Sequence, residues 1–434
     1  MMLDVLFAFG LLLSPASQLR LAGSPVGPGE ICLLIWIVLT LGREAARLGP
    51  PLTPALSRLL IFWSLFAIAQ SLGTLTALVI GDEHDAHWFL HDVMAYPLLA
   101  AVSCLSVIEP HAGPRLHRVA WLLSALGTPF LALQFANAWG LIDISSVDPW
   151  WWDQFRGWSA NPHQLAVLCT VLALLSLHLA ETATRLGQRI AAVACAIVPI
   201  YAGLLTKTDS FSVILVAAGL IFIAFKFRTW LVSCAPRITF RSAFAWIVVL
   251  ALPAALVSAA PLAYSIAVEA ADFAKAMARE NPEQTEEKAE LRFGLWEQAG
   301  MRGVESGMLG LGPGPHLEIP PAIVAGRYGG TFHPKYIEHP EPTFAPNFEA
   351  HNTVLDLFVQ GGLIAVLSLI WVASTALSTA YRARLAGLPT LLCGLGIYGA
   401  ATLIIRHPIF WFAIALCLVA GTGARRPSAL RDWS

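Results

Sequence analysis

The sequence predicts an all-α polytopic membrane protein with about twelve transmembrane helices and one large loop on a single face. Three observations carry that reading. Of the 434 residues, 57% are hydrophobic and only 13% charged, against roughly a quarter charged in soluble domains. The few charges fall in short stretches between apolar runs of about 17–25 residues, the length a helix needs to cross a bilayer. Basic residues also crowd into alternate loops. A soluble multidomain enzyme is excluded, and a net charge of −1 gives no sign of a nucleic-acid partner.

Apolar runs place helices near residues 3–17, 28–42, 57–80, 86–108, 117–140 and 162–180. Further runs lie near 188–205, 210–226, 243–268, 352–378, 388–405 and 408–424. The first is short and carries Asp4 without a basic region before it, so it reads as an uncleaved span rather than a signal peptide. The last is short as well. The chain then divides into spans one to nine over 1–268, a large loop over 269–350, and spans ten to twelve over 351–434. Six of the seven cysteines lie in apolar runs and Cys234 in a basic loop, so no disulfide framework is implied.

More than half of the 27 basic residues fall in one set of loops, including Arg43, Arg47, Arg58, Arg185, Arg189, Lys226, Arg228, Arg382 and Arg384. Positive residues stay cytoplasmic, which puts both termini inside and the 269–350 loop outside. Tryptophans agree: Trp88, Trp139, Trp150–Trp152 and Trp158 mark the outer interface. Within the long loop, Glu280–Glu290 reads as an acidic helix opening after Asn281 and Pro282. Leu291–Ser306 reads as amphipathic, followed by the glycine-rich GMLGLGPGPH and a His- and Pro-rich stretch from Phe332 to Pro346.

Cations on the outer side run against the positive-inside bias and are the first candidates for chemistry. They are Arg20, Arg156, Lys207 and Arg406 in short loops, with Arg292 and Arg302 in the long one. Gathered beside helix N-termini they would form an anion site, since phosphate oxygens suit arginine forks and unpaired N–H groups. Singly, each has a plainer account: Arg156 as an interfacial anchor beside its tryptophans, Arg406 as a snorkelling helix-end cation. His351 lies in FEAHNTVLDLFVQGGLI, where a polar loop becomes an apolar helix. It is a candidate general base, an imidazole titrating near neutral pH; alternatively His351 or Asn352 caps the helix. Asn352 and Asp356, four apart, share a helix face. GLGPGP lacks the GK[ST] of a P-loop and reads as a tight turn. The histidines 316, 333, 339 and 351 with Glu341 match no ligand spacing, so neither metal nor cofactor is expected. Asp82–Asp85 reads as a solvated loop.

RFGLWEQAGMRGVESGMLGLGPG followed by AHNTVLDLFVQGGLIAVL, with RGWSANPHQLAV upstream, resembles the O-antigen ligase/polymerase superfamily of bacterial membrane glycosyltransferases. The likeness covers about residues 150–370. It implies a C-type glycosyltransferase-like architecture in the inner membrane with its active face periplasmic. It also implies transfer of a glycan from an undecaprenyl-diphosphate carrier to a lipid A–core acceptor (ligases) or another lipid-linked chain (polymerases). By motif, Arg292 and Arg156 would bind the diphosphate, His351 would be catalytic, and other polysaccharide-assembly proteins would be partners. Arg302, Asn352 and Arg406 join the expected donor site. The family often has Ser-Arg where this chain reads Thr208-Asp209-Ser210; Lys207 would supply the cation there. A transporter or flippase for lipid-linked glycans is the alternative. It is disfavoured because the two halves show no internal repeat and few charges lie mid-span. Polymerase is preferred to ligase, because nothing in the sequence points to a lipid A–core acceptor.

Overall fold

The computed structural model describes residues 1–21, 26–46, 52–82, 86–108, 111–151, 153–233, 282–318 and 348–420. These form a mostly helical protein. The described helices are α1 (Met2–Leu13), α2 (Pro28–Ala45), α3 (Pro54–Ile80), α4 (Ala86–Ser106), α5 (Ala112–Ala138) and α6 (Pro162–Thr182). They continue as α7 (Leu186–Leu205), α8 (Asp209–Ser233), α9 (Pro282–Glu305), α10 (Thr353–Arg382), α11 (Gly387–Gly399) and α12 (Pro408–Val419). Between α5 and α6 a small antiparallel hairpin pairs β1 (Trp150–Trp151) with β2 (Gln154–Phe155). The expected span at 243–268 and the stretch Phe332–Pro346 lie outside the described residues.

Local chemistry sets the helix starts. Proline stands at the first turn of α2, α3, α6 and α12, where its missing N–H costs nothing. Thr53 and Asn161 cap α3 and α6 by accepting from Leu56 N at 3.1 Å and Gln164 N at 2.9 Å. Gly81 ends α3 in the left-handed conformation. The acidic and amphipathic segments of the long loop merge into one helix, α9.

Among the described residues seven helices (α3 to α8 and α10) are long and apolar enough to cross a membrane, which makes this a multi-pass membrane protein. Three of the helices at expected spans, α1, α11 and α12, are short. These have 12, 13 and 12 residues and, at about 1.5 Å per residue, fall well short of a hydrocarbon core of about 30 Å. α12 shows why an apolar run misleads. All twelve of its residues are buried, because it packs against α3, α4, α5, α6, α10 and α11. Its Trp411 sits 4.6 Å from the ring of Trp63 and 4.9 Å from that of Phe62. A helix apolar on all sides can be a core post as readily as a lipid-facing span. In contrast, α7, which packs against α6 and α5, buries only Ala192, Pro199, Ala202 and Gly203. Asp4 is buried too, paired with Arg118 at 3.4 Å.

Two compact units emerge: Met1–Phe222 with Gln298–Ser434, and Ile223–Glu297. The second contains the end of α8 and the start of α9, including Arg292. Every other candidate residue belongs to the first.

Candidate active site

α10 is broken one third of the way along. Gly361 and Gly362 leave helical geometry, Gly362 at φ +60° and ψ −159°. A break inside a spanning helix frees backbone groups that must find other partners. Here the glycine-rich segment 307–316 supplies them. Leu311 N donates to Val359 O and Gly312 N to Gln360 O, both at 2.7 Å, while Leu363 N donates to Met308 O at 3.0 Å. The fit needs glycine: a Cβ on Gly362 would strike the Met308 carbonyl, and one on Gly312 (φ +95°) would lie 2.6 Å from Thr74 Oγ1. The segment is therefore a backbone plug for the broken helix, consistent with a turn and with the missing P-loop signature.

The plug is pinned by charge. Asp82, read from sequence as solvated, has a side chain only 7% exposed and accepts from Arg302 Nη2 at 3.1 Å. His316 Nδ1 lies 3.5 Å from the same carboxylate, and its Nε2 reaches Gly312 O at 2.9 Å. Asp92, on α4 and wholly buried, accepts from Gly314 N at 3.1 Å. Its other oxygen meets His91 Nδ1 at 3.1 Å. One turn further along α4, Tyr96 Oη donates to Gln360 Oε1 at 2.7 Å.

Arg406 closes the arrangement. It lies in the short 3-10 turn before α12 and divides its fork between Asp92 and Glu349. Burial works against its charge, yet the two carboxylates outweigh that and hold it more firmly protonated than a free arginine. Next to it His407 is pushed down to about 4, first by burial and then by Arg406, so it is neutral at physiological pH. Thr353 Oγ1 donates to Thr402 O at 2.6 Å and accepts from Ile404 N at 3.0 Å, which docks the head of α10 on the Arg406 turn.

His351 stands on that head. It is exposed, adopts φ +52°, and meets the Phe348 ring edge-on at 5.3 Å. A non-glycine residue in the left-handed region costs about 1–2 kcal/mol and persists only where neighbours impose it. Asn352 is the helix cap, its Oδ1 accepting from Val354 N at 3.0 Å and Leu355 N at 3.4 Å. Phe348 and Leu317 exchange backbone hydrogen bonds, tying this segment to the plug.

Arg156 and Lys207 belong to a different locus. Arg156 donates from Nε to Asp148 O at 2.9 Å and from Nη1 to Ala160 O at 3.1 Å, with Asp148 Oδ2 3.4 Å from Nη2. Its guanidinium lies 4.9 Å over the Trp151 ring. Lys207 meets Asp153 at 2.6 Å, both ends well exposed, and that bond holds the Asp153 carboxyl below the usual carboxylate range. Asp209 is exposed at the start of α8. Arg292 is exposed on α9. Each predicted cation of the first unit thus already has a carboxylate partner. Among the described residues no group of three metal-ligating side chains occurs.

Sequence reasoning passed over Asp92, His91, Tyr96 and Gln360, and read Asp82 as solvated. The available signal was Asp92 itself, an acid inside an apolar run, since intramembrane charges are functional candidates by default.

A multi-pass membrane protein with a polar, charge-braced layer at one end of its helices is the class that fold and site define. Residues 191–370 match the family model described as O-antigen ligase, in agreement with the resemblance carried by the motifs. The match includes Lys207, Arg292, Arg302, His351 and Asn352 and stops short of Arg156 and Arg406. No curated protein matches the chain. The family is one of membrane glycan processing by glycosyltransferase-like enzymes.

Proposed function

We propose that the chain transfers a glycan from a polyprenyl-diphosphate carrier to an acceptor hydroxyl at the periplasmic face of the bacterial inner membrane, as a polymerase in preference to a ligase. The observation that carries this reading is His351. A solvent-facing imidazole is held in a left-handed backbone at the head of a spanning helix, within the segment that matches the family. In this reading His351 takes the acceptor's proton as the new glycosidic bond forms. The anomeric C–O bond to the diphosphate breaks, and its electron pair leaves with the diphosphate oxygen. Fixed cations stabilise that departing charge. Lys207 is the readiest, because its exposed partner Asp153 can give way to a diphosphate. Arg156 and Arg302 share the task, Arg292 is assigned a diphosphate role by motif alone, Asn352 orients the head of α10, and Arg406 acts chiefly as a brace, its charge being met by two carboxylates. Both termini are cytoplasmic in this orientation, and no metal or cofactor is required.

The test is reconstitution in proteoliposomes with a lipid-diphosphate glycan donor. H351A and R292A should insert normally and lose transfer by about 100-fold or more, the scale on which a general base or a charge-stabilising group contributes. Wild-type transfer by both variants would sink the assignment. Glycan flux with no covalent product would instead favour a flippase. Product length separates the two enzyme readings, since a polymerase lengthens lipid-linked chains and a ligase moves them whole.

A further inference from the structure

His351 is gripped from both sides through the backbone that flanks it. Asp356, buried one turn into α10, accepts from Ala350 N at 2.7 Å through Oδ1 and from Asn352 N at 3.0 Å through Oδ2. One carboxylate thus fastens the backbone immediately before and immediately after the histidine. A second grip acts on Glu349, two residues upstream, which Arg406 holds against Asp92 of α4. Asp92 in turn is fixed by Gly314 N and His91. Left to itself, a histidine would leave φ +52° for a cheaper conformation. It is held there by two acids sunk in spanning helices, where an unneeded carboxylate is costly to retain.

We propose that Asp356 is the positioning residue for His351, and that the chain Asp92–Arg406–Glu349 is a second brace on the same loop. Neither acid needs to touch substrate. Asp356 presents the imidazole by dictating the backbone on either side of it, and the brace stops the loop from swinging away from α4. The proposal rests on the glycosyltransferase reading for its consequence in catalysis, but its structural content stands apart from that reading. An asparagine at 356 keeps the size of the side chain and offers only one acceptor oxygen. One of the two amides would then face an NH2 group, and the left-handed turn would relax.

Two measurements test this, using the full-length protein in nanodiscs or proteoliposomes. The first is hydrogen exchange of the peptide covering 348–353, which needs no substrate. D356N should speed exchange there by about tenfold, the scale of one lost hydrogen bond, with exchange in α6 unchanged. The second is glycan transfer. D356N should lower kcat by about 100-fold, as expected for a misplaced reacting group, while KM stays within about threefold. The double variant D356N/H351A should be no slower than H351A alone, because a residue that acts only through His351 has nothing left to lose. If D356N fails to fold, E349Q at the half-buried end of the brace gives the same readouts with a smaller effect, about tenfold in kcat. Wild-type exchange at 348–353 in whichever variant folds overturns the proposal. So does a D356N/H351A protein in which the two defects multiply. A wild-type protein that forms no covalent product would instead sink the glycosyltransferase reading, with the exchange result still deciding whether Asp356 positions His351.

Discussion

Two loops cap the helices of the first unit, and they are held by opposite means. The hairpin segment 148–160 is fastened by side chains. Gln18 Nε2 donates to the carbonyls of Asp148, Gly157 and Ser159, and its Oε1 accepts from Asp148 N. Ser17 Oγ accepts from Ala160 N, and Arg156 folds back on its own loop. The glycine segment 307–316 is fastened by backbone, its N–H groups replacing those that α10 loses at its break. The difference matters for function. Side-chain fastening can be loosened one bond at a time, and it leaves Arg156 and Lys207 beside the carboxylates of Asp148 and Asp153. Backbone fastening works as a unit, and two charged clusters support it, one around Asp82 and one around Asp92. In the proposed function, recognition of the donor belongs with the first loop and placement of His351 with the second.

The sharpest way to break that contrast is D92A. It removes the carboxylate shared by Arg406, His91 and Gly314 and leaves Glu349 as the guanidinium's paired carboxylate. Removing one partner of a buried ion pair costs about 3–5 kcal/mol, and the surviving Glu349 contact places the expected loss near the lower end, about 3 kcal/mol. Thermal unfolding in detergent should show it. A loss below about 1 kcal/mol would match an exposed pair and remove the distinction between the two loops.

G362A comes next. Alanine at φ +60°, ψ −159° enters a region essentially reserved for glycine and presses its methyl on the Met308 carbonyl, at a cost of about 2 kcal/mol. The same unfolding assay reads it. Because the plug is fastened as a unit, hydrogen exchange at Leu311 and Gly312 should rise together; protection lost at only one of them would contradict the unit.

Much of this was legible in the chain before any geometry. Asn281 with Pro282 marked the start of α9 and a cap at His351 or Asn352 that of α10, and cations set against the positive-inside bias singled out Arg302 and Arg406. His351 stood out at a polar-to-apolar boundary. What could not be read was pairing. Asp92 lies in an apolar run whose averaged hydropathy hides one acid, and its partner Arg406 is 314 residues away. Asp82 looked solvated because Arg302 lies 220 residues on. α12 looked like a span because apolar composition is the same whether lipid or protein surrounds a helix. The break in α10 was visible as two glycines, but its meaning lay in the carbonyls of Val359 and Gln360, which any residue type carries.

The smallest expected effect lies in the hairpin, and it is the most informative about fastening by side chains. Q18A deletes four hydrogen bonds at once, and naive addition would make it the most damaging of the three variants. The residue is half-buried, however, so water can reach the carbonyls it abandons, and the net worth of a hydrogen bond that water can replace is small. The expected loss is about 1 kcal/mol in the unfolding assay. Protection of the 148–160 amides should fall while that of 307–316 stays as in wild type. If Q18A instead loosened both segments, the two loops would form one cooperative cap, and diphosphate capture by the hairpin could not be separated from the placement of His351.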